Sequence, residues 1–207
     1  MEQIKVVSTN VGLTELLGVR NGHEVYSAIR KQQTRKSKLD LDPRGFRDDQ
    51  QTDTRILSDG KQVHGGPLRA VYVYPATHYP FWARELDQHL PWGAFGENLD
   101  VLGIDERTVF PGDIWEYPSG VELEVTTPPR LPFCHKLDML RGEGTRLLTI
   151  ATGRCGWFMQ VNQPGPAPTT GLVCVTKRGP GPKSIADLFL ENTRRDLTTP
   201  VPFFEAD

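Results

Sequence analysis

The stretch DIWEYPSGVELEVTT, Asp113 to Thr127, sets two runs of alternating apolar and polar residues on either side of Pro118, Ser119 and Gly120. Successive side chains of an extended chain point to opposite faces, so each run reads as a half-buried strand and the Pro-Ser-Gly step as a break. Working outward, comparable short runs occur at Ile4 to Ser8, Ala70 to Tyr74, Leu147 to Thr152, Phe158 to Asn162 and Leu172 to Lys177. Glycine and proline punctuate them, as in Pro111-Gly112-Asp113 and in GPGPK from Gly179 to Lys183. Many short strands with such breaks predict a mainly β chain, folded as a closed or nearly closed barrel.

Two helices are expected. Ser184 can cap the amide of Asp187 while Ile185, Leu188, Phe189 and Asn192 follow helical spacing, which predicts a C-terminal helix over Ser184 to Asp196. A second covers Tyr79 to Gln88. The polar stretch 31–62 reads as an exposed insertion in a barrel domain spanning 1–178; residues 179–207 supply the C-terminal helix and an extended tail, where Phe203 and Phe204 can dock on a neighbouring surface.

The formal net charge of −2 lacks the basic excess of a protein that binds nucleic-acid polymers. No run approaches the roughly 18 apolar residues of a membrane span, and MEQIKVVSTNVG does not have the layout of a secretion signal, so a cytoplasmic location without membrane attachment is expected. Cys134, Cys155 and Cys174 are widely spaced and odd in number, and are expected as reduced thiols.

Three places concentrate chemistry. In PPRLPFCHKL, Pro128 to Leu137, a proline-dense turn delivers Cys134 beside His135, with Arg130 and Lys136 near in sequence. Cations stabilise a thiolate, which is both nucleophile and metal ligand, so Cys134 is the candidate reactive thiol; the competing reading is a small buried hydrophobe, the one expected of Cys174 within LVCV. In GAFGENL, Gly93 to Leu99, Gly96 can take a positive φ beside Phe95 while Glu97 and Asn98 offer polar groups, or the run is a turn that satisfies its own backbone. In HGGPLRAVYVY, His64 to Tyr74, Gly65 and Gly66 can bring amides to an anion, Arg69 can assist and His64 can move a proton; a structural turn is the alternative. His23, His78 and His89 have no partner pattern and are assigned to surface or packing roles.

Taken in order, HGGPLRAVYVYPATHYPFW, GAFGENL, PPRLPFCHKL and GRCGWF resemble the YiiM-like branch of the MOSC family, the domain also found at the C-terminus of molybdenum cofactor sulfurases. The resemblance covers roughly Ile4 to Lys177. It implies a MOSC-type β-barrel with a cleft for the molybdenum cofactor (molybdenum-pterin), Cys134 as the metal ligand or a persulfide carrier, and cofactor contacts from Gly65, Gly66, Arg69, Phe95, Gly96, Asn98 and Arg130. Glu97 and His64 would then orient substrate or relay a proton. GFRDDQQTD, Gly45 to Asp53, is similar to a family run in which glycine stands at the position of Asp48, and Phe133 adds a residue between Pro132 and Cys134.

Three functions follow from that resemblance. Cys134 can ligate molybdenum in a reductase for N-hydroxylated small molecules, fed by an electron-donating reductase partner. It can instead carry persulfide sulfur from a sulfur donor, or the chain can be a noncatalytic cofactor-binding module. A homodimer is compatible with each.

Overall fold

The computed structural model describes residues 2–52, 56, 64–129 and 135–198. Its strands are β1 (Glu2–Val11), β2 (Glu15–Arg20), β3 (His23–Ser27), β4 (Gln32–Gln33), β5 (Lys38–Asp42), β6 (Gly45–Phe46), β7 (Val71–Pro75), β8 (Leu99–Leu102), β9 (Ile114–Glu116), β10 (Glu122–Thr127), β11 (Trp157–Gln163), β12 (Gly165–Pro168) and β13 (Gly171–Lys177). The helices are α1 (Tyr79–Leu86), α2 (Lys136–Arg141), α3 (Thr145–Thr152) and α4 (Ile185–Thr198).

Seven strands close on themselves in the order β1-β13-β9-β10-β11-β7-β8 and back to β1. Closure depends on the long N-terminal strand, because β1 pairs antiparallel with β13 through Glu2–Val6 and with β8 through Lys5–Thr9. Every barrel pairing is antiparallel apart from β7 with β8. Alternation supplies the interior: Ile4 and Val6, Val71 and Val73, Leu123 and Val125, and Trp157 and Met159 are all buried. Trp115 and Trp157 meet edge to face at 5.9 Å, and α4 adds Ile185 and Phe189 to the same core. The closed β-barrel expected from the strand runs is present.

The expected C-terminal helix forms with its cap: the Asp187 amide donates to Ser184 Oγ at 3.2 Å and the Ser184 amide donates back to Asp187 Oδ2 at 2.9 Å. The helix expected over Tyr79 to Gln88 is α1, which ends at a left-handed Asp87. Leu147 to Thr152 is a correction, since the run predicted as a strand lies in α3. Gly144 and Gly153 bound that helix in left-handed conformations, and its β-branched threonines bond inside it, Thr149 to Thr145 O and Thr152 to Leu148 O.

The exposed insertion expected over 31–62 is also corrected in its described part. β5 and β6 pair with each other and β5 with β12, burying Leu39, Leu41 and Phe46 in the main core. Few apolar residues suffice there because they alternate on one face. A second omission is the hairpin of β2 and β3, turned by Asn21 and Gly22 at positive φ. The expected docking of Phe203 and Phe204 lies outside the described residues, and among those described no helix is long and apolar enough to cross a membrane.

Gly156 enters β11 at φ 62°, where an added Cβ would sit 2.4 Å from the Val73 carbonyl oxygen. Gly156→Ala is expected to cost on the order of 2 kcal/mol or more in urea denaturation, because the backbone of β7 has to shift; a variant within experimental error of the native midpoint contradicts this packing.

Candidate functional site

A cavity of about 300 Å³ opens between the β7 wall of the barrel, α2 and α3, and the segment from Ser27 to Thr52. His64, Gly65, Arg69, Phe95, Gly96 and Asn98, all singled out from sequence, line it together. Lys31, Asp49, Gln51, Tyr72, Lys136, Arg154 and Phe158 complete much of the wall. Cys134 and Arg130 lie outside the described residues; Pro129 and Lys136, on either side of them in the chain, both line the cavity.

The floor is a hydrogen-bonded junction centred on Asn98. Its Oδ1 accepts the Tyr72 amide at 3.1 Å, and its Nδ2 donates to Asn10 O at 3.2 Å and to Asp49 Oδ2 at 2.8 Å. Asp49 in turn accepts the Gly12 amide and pairs with Lys31, both side chains being almost fully buried. Burial pulls the Lys31 ammonium below the usual lysine range, while Asp49 opposes that shift. The side-chain amide of Asn98 is thus occupied by the protein itself.

Glu97 faces away from the cavity. Its carboxylate accepts the Tyr79 hydroxyl, the Gly93 amide at 3.2 Å and the Phe95 amide at 2.8 Å, and the residue is fully buried. This clamps GAFGEN so that Phe95 stacks on Tyr74 at 5.0 Å. The Gly96 amide is spent on Gly93 O, and that of Gly66 on Gln51 Oε1. At Gly65 an added Cβ would lie 2.0 Å from Gln51 Oε1, and at Gly96 one would lie 2.8 Å from Ile29 Cγ1. Both glycines hold positive φ, so these turns admit the close approach of neighbouring chain that larger residues would block.

Behind Glu97 lies a second buried carboxyl, Asp100, whose Oδ2 accepts Asn10 Nδ2 at 2.7 Å. Burial, and then the Glu97 charge, raise Asp100 far above the carboxylate range. Asp100 Oδ1 has no hydrogen-bond partner, and the raised value favours the neutral acid over a buried carboxylate.

The remaining thiols and histidines have settled places. Cys155 is fully buried, and burial together with Glu106 pushes its thiol up, away from thiolate. Cys174 is partly buried on β13. His78 bonds Glu106 at 2.8 Å, and Glu106 also accepts the Gly156 amide, which ties the start of β11 to α1. His135 sits at the entry to α2, its imidazole held below its ordinary value first by burial and then by Arg20.

The barrel and these motifs fix the affiliation, because residues 60–175 match the MOSC domain family. The chain belongs to that family. It is 36% identical to YflK of Bacillus subtilis over 165 residues, covering 79% of this chain and 69% of YflK. YiiM of Escherichia coli is 40% identical over 109 residues, half of this chain and 47% of YiiM. A protein of Gibberella moniliformis named Reductase is 40% identical over 119 residues; the match covers 54% of this chain and 21% of that one. The crystal structure of YiiM from Geobacillus stearothermophilus shares the fold with a TM-score of 0.69 at 24% identity, over 93% of this chain and 85% of that one.

Sequence reading missed Lys31, Gln51, Tyr72 and Arg154 in this MOSC site. Gly45 to Asp53 carried a signal for Gln51 and Asp49, whereas nothing local to a polar run marks Lys31 as buried.

Asp49→Asn leaves the buried Lys31 without its counter-charge, and a loss of about 3 kcal/mol in stability is expected by denaturant titration; a loss under about 1 kcal/mol would show that the pair is solvated. Asp100 has the opposite sign of pH dependence from a paired carboxylate. Its folded value is raised, so its contribution is complete below the unfolded value and is lost as pH climbs toward the folded one. Asp100→Asn, an isostere of the protonated form, should flatten the decline of stability between about pH 4 and about pH 10 by up to about 1.4 kcal/mol per pH unit; parallel curves for the two proteins argue against a protonated Asp100.

Proposed function

We propose that the cavity holds an anionic molybdenum-pterin cofactor with Cys134 as its thiolate ligand, and that the loaded protein reduces N-hydroxylated small molecules in the cytoplasm. The observation that carries this reading is charge. Among the described residues of the cavity wall, Lys31, Arg69, Lys136 and Arg154 are cationic against the single carboxylate of Asp49, in a chain whose net charge is −2. Such a wall suits a phosphate-bearing group. Tyr72, Phe95 and Phe158 add aromatic surface for a planar ring system. The residues present therefore fit the group.

When bound, the cofactor supplies two-electron redox chemistry at the metal. The chain's own residues bind and orient. A soft Cys134 thiolate suits molybdenum, Arg69, Lys136 and Arg154 offset anionic charge, and the His64 imidazole, which lines the wall, can hand a proton to the departing hydroxyl. Converting an N-hydroxyl group to N–H and water consumes two electrons and two protons. The chain offers three widely spaced cysteines, too few for a cysteine-ligated iron–sulfur cluster, and no GxGxxG turn, so an electron-donating reductase partner is part of the proposal. The relative named Reductase supports a redox role. Glu97 is assigned to shaping the Phe95 loop rather than to substrate contact.

Metal and pterin analysis of protein made in a host that synthesises the cofactor tests this directly. Near-stoichiometric molybdenum and pterin are expected, with metal falling by about tenfold or more in Cys134→Ser. If the native protein holds neither, the reductase reading fails.

A further inference from the structure

Arg154 lines the cavity from the connection between α3 and β11, and its environment differs from that of the other cations. The guanidinium lies 4.0 Å from the centre of the Phe81 ring. The chain around it is gripped by two hydroxyls: Tyr74 donates to Arg154 O at 3.0 Å and Tyr72 to Cys155 O at 2.7 Å. Trp82 Nε1 donates to the Tyr74 hydroxyl at 2.6 Å, so the first of these clamps is itself held. Stacking and clamping fix the side chain before any ligand arrives.

Among the described residues, however, no acceptor meets its donors. Arg154 Nε is buried without a hydrogen-bond partner, and among the described residues no carboxylate pairs with the guanidinium. Lys31, by contrast, is neutralised by Asp49, and Lys136 donates to the Tyr26 carbonyl at 2.9 Å. A buried donor left unpaired costs stability, and a cavity-lining cation without a protein counter-charge is one that an anion can complete. Beside it Tyr72 and Phe158 pack with ring centres 5.0 Å apart, an aromatic wall next to a planar cation.

We infer that Arg154 is the oxyanion receptor of the cavity, taking a carboxylate or phosphate on a ligand whose ring lies against Tyr72 and Phe158. This rests on the proposed function only in treating the cavity as a ligand site. Its two Nη groups can meet two oxygens of one anion side by side, which an ammonium cannot match. Two sources offer that chemistry, an acidic substrate and the phosphate end of the cofactor.

The test titrates the full chain, purified without cofactor, with benzoate and with phenyl phosphate by calorimetry, alongside Arg154→Gln and Arg154→Lys. Native protein is expected to bind at least one probe, with Arg154→Gln weakening it roughly 10- to 100-fold and Arg154→Lys restoring part of the loss. Without ligand, Arg154→Gln should unfold at the same or higher denaturant concentration, because it removes an unmet donor. Pterin content then assigns the source: a variant that loses pterin and phenyl phosphate binding places Arg154 at the cofactor, and one that keeps pterin but loses benzoate binding places it at the substrate. Binding of neither probe to native protein overturns the inference. So does equal affinity in Arg154→Gln, or a large fall in that variant's stability. A native protein that lacks molybdenum yet binds a probe through Arg154 sinks the cofactor reading while leaving this one standing.

Discussion

Asn98 makes five hydrogen bonds at once, and the floor of the cavity depends on them. Its backbone amide donates to Tyr72 O and its carbonyl accepts the Asn10 amide, while its side chain reaches Tyr72, Asn10 and Asp49. Three parts of the chain far apart in sequence meet there: the end of β1, the wall strand β7 and the segment after β6. A side-chain amide has one acceptor and two donors, and here each is matched, so no other short polar residue satisfies all three parts at this place. Loosening that junction would release Asp49, and with it the counter-charge of the buried Lys31.

The motif residues divide into those that build walls and those that face the opening. Glu97 belongs to the first kind. A carboxylate buried without water needs donors, and it finds two loop amides and a tyrosine hydroxyl, which fixes the Phe95 ring where it can stack on Tyr74. Gly65 and Gly66 are shaped by Gln51 in the same way. The cations and rings of the opening, among them Arg69, Arg154, Tyr72 and Phe158, are carried on that scaffolding.

The barrel was readable because burial on one face imposes alternation, and β1, β7, β9, β10, β11 and β13 carry it plainly. Elements that break that rule were harder. β8 hides its strand character behind Asp100, an acidic residue whose buried carboxyl is met by Asn10, a partner remote from any local window. α3 looks extended because its threonines are β-branched, yet their hydroxyls bond within the helix and its glycine boundaries decide the matter. The short β5 and β6 have few apolar letters, and only their pairing with β12 shows that Leu39, Leu41 and Phe46 face the core. For the site, turn glycines and Arg69 were legible from spacing, whereas Lys31 and Arg154 were not, because burial of a cation is decided by tertiary neighbours.

Lys31 and Arg154 are two different solutions to holding positive charge in a partly closed space. Lys31 is compensated internally, so its ammonium contributes a field but few open donors, and removing Asp49 would expose the full desolvation cost. Arg154 is compensated by an aromatic face, which lowers the cost of the cation without consuming its N–H groups. A cavity meant only to be stable would use the first arrangement at both positions. Using the second at one position leaves a cation in the wall without a protein counter-charge, which is the arrangement an anionic ligand would need.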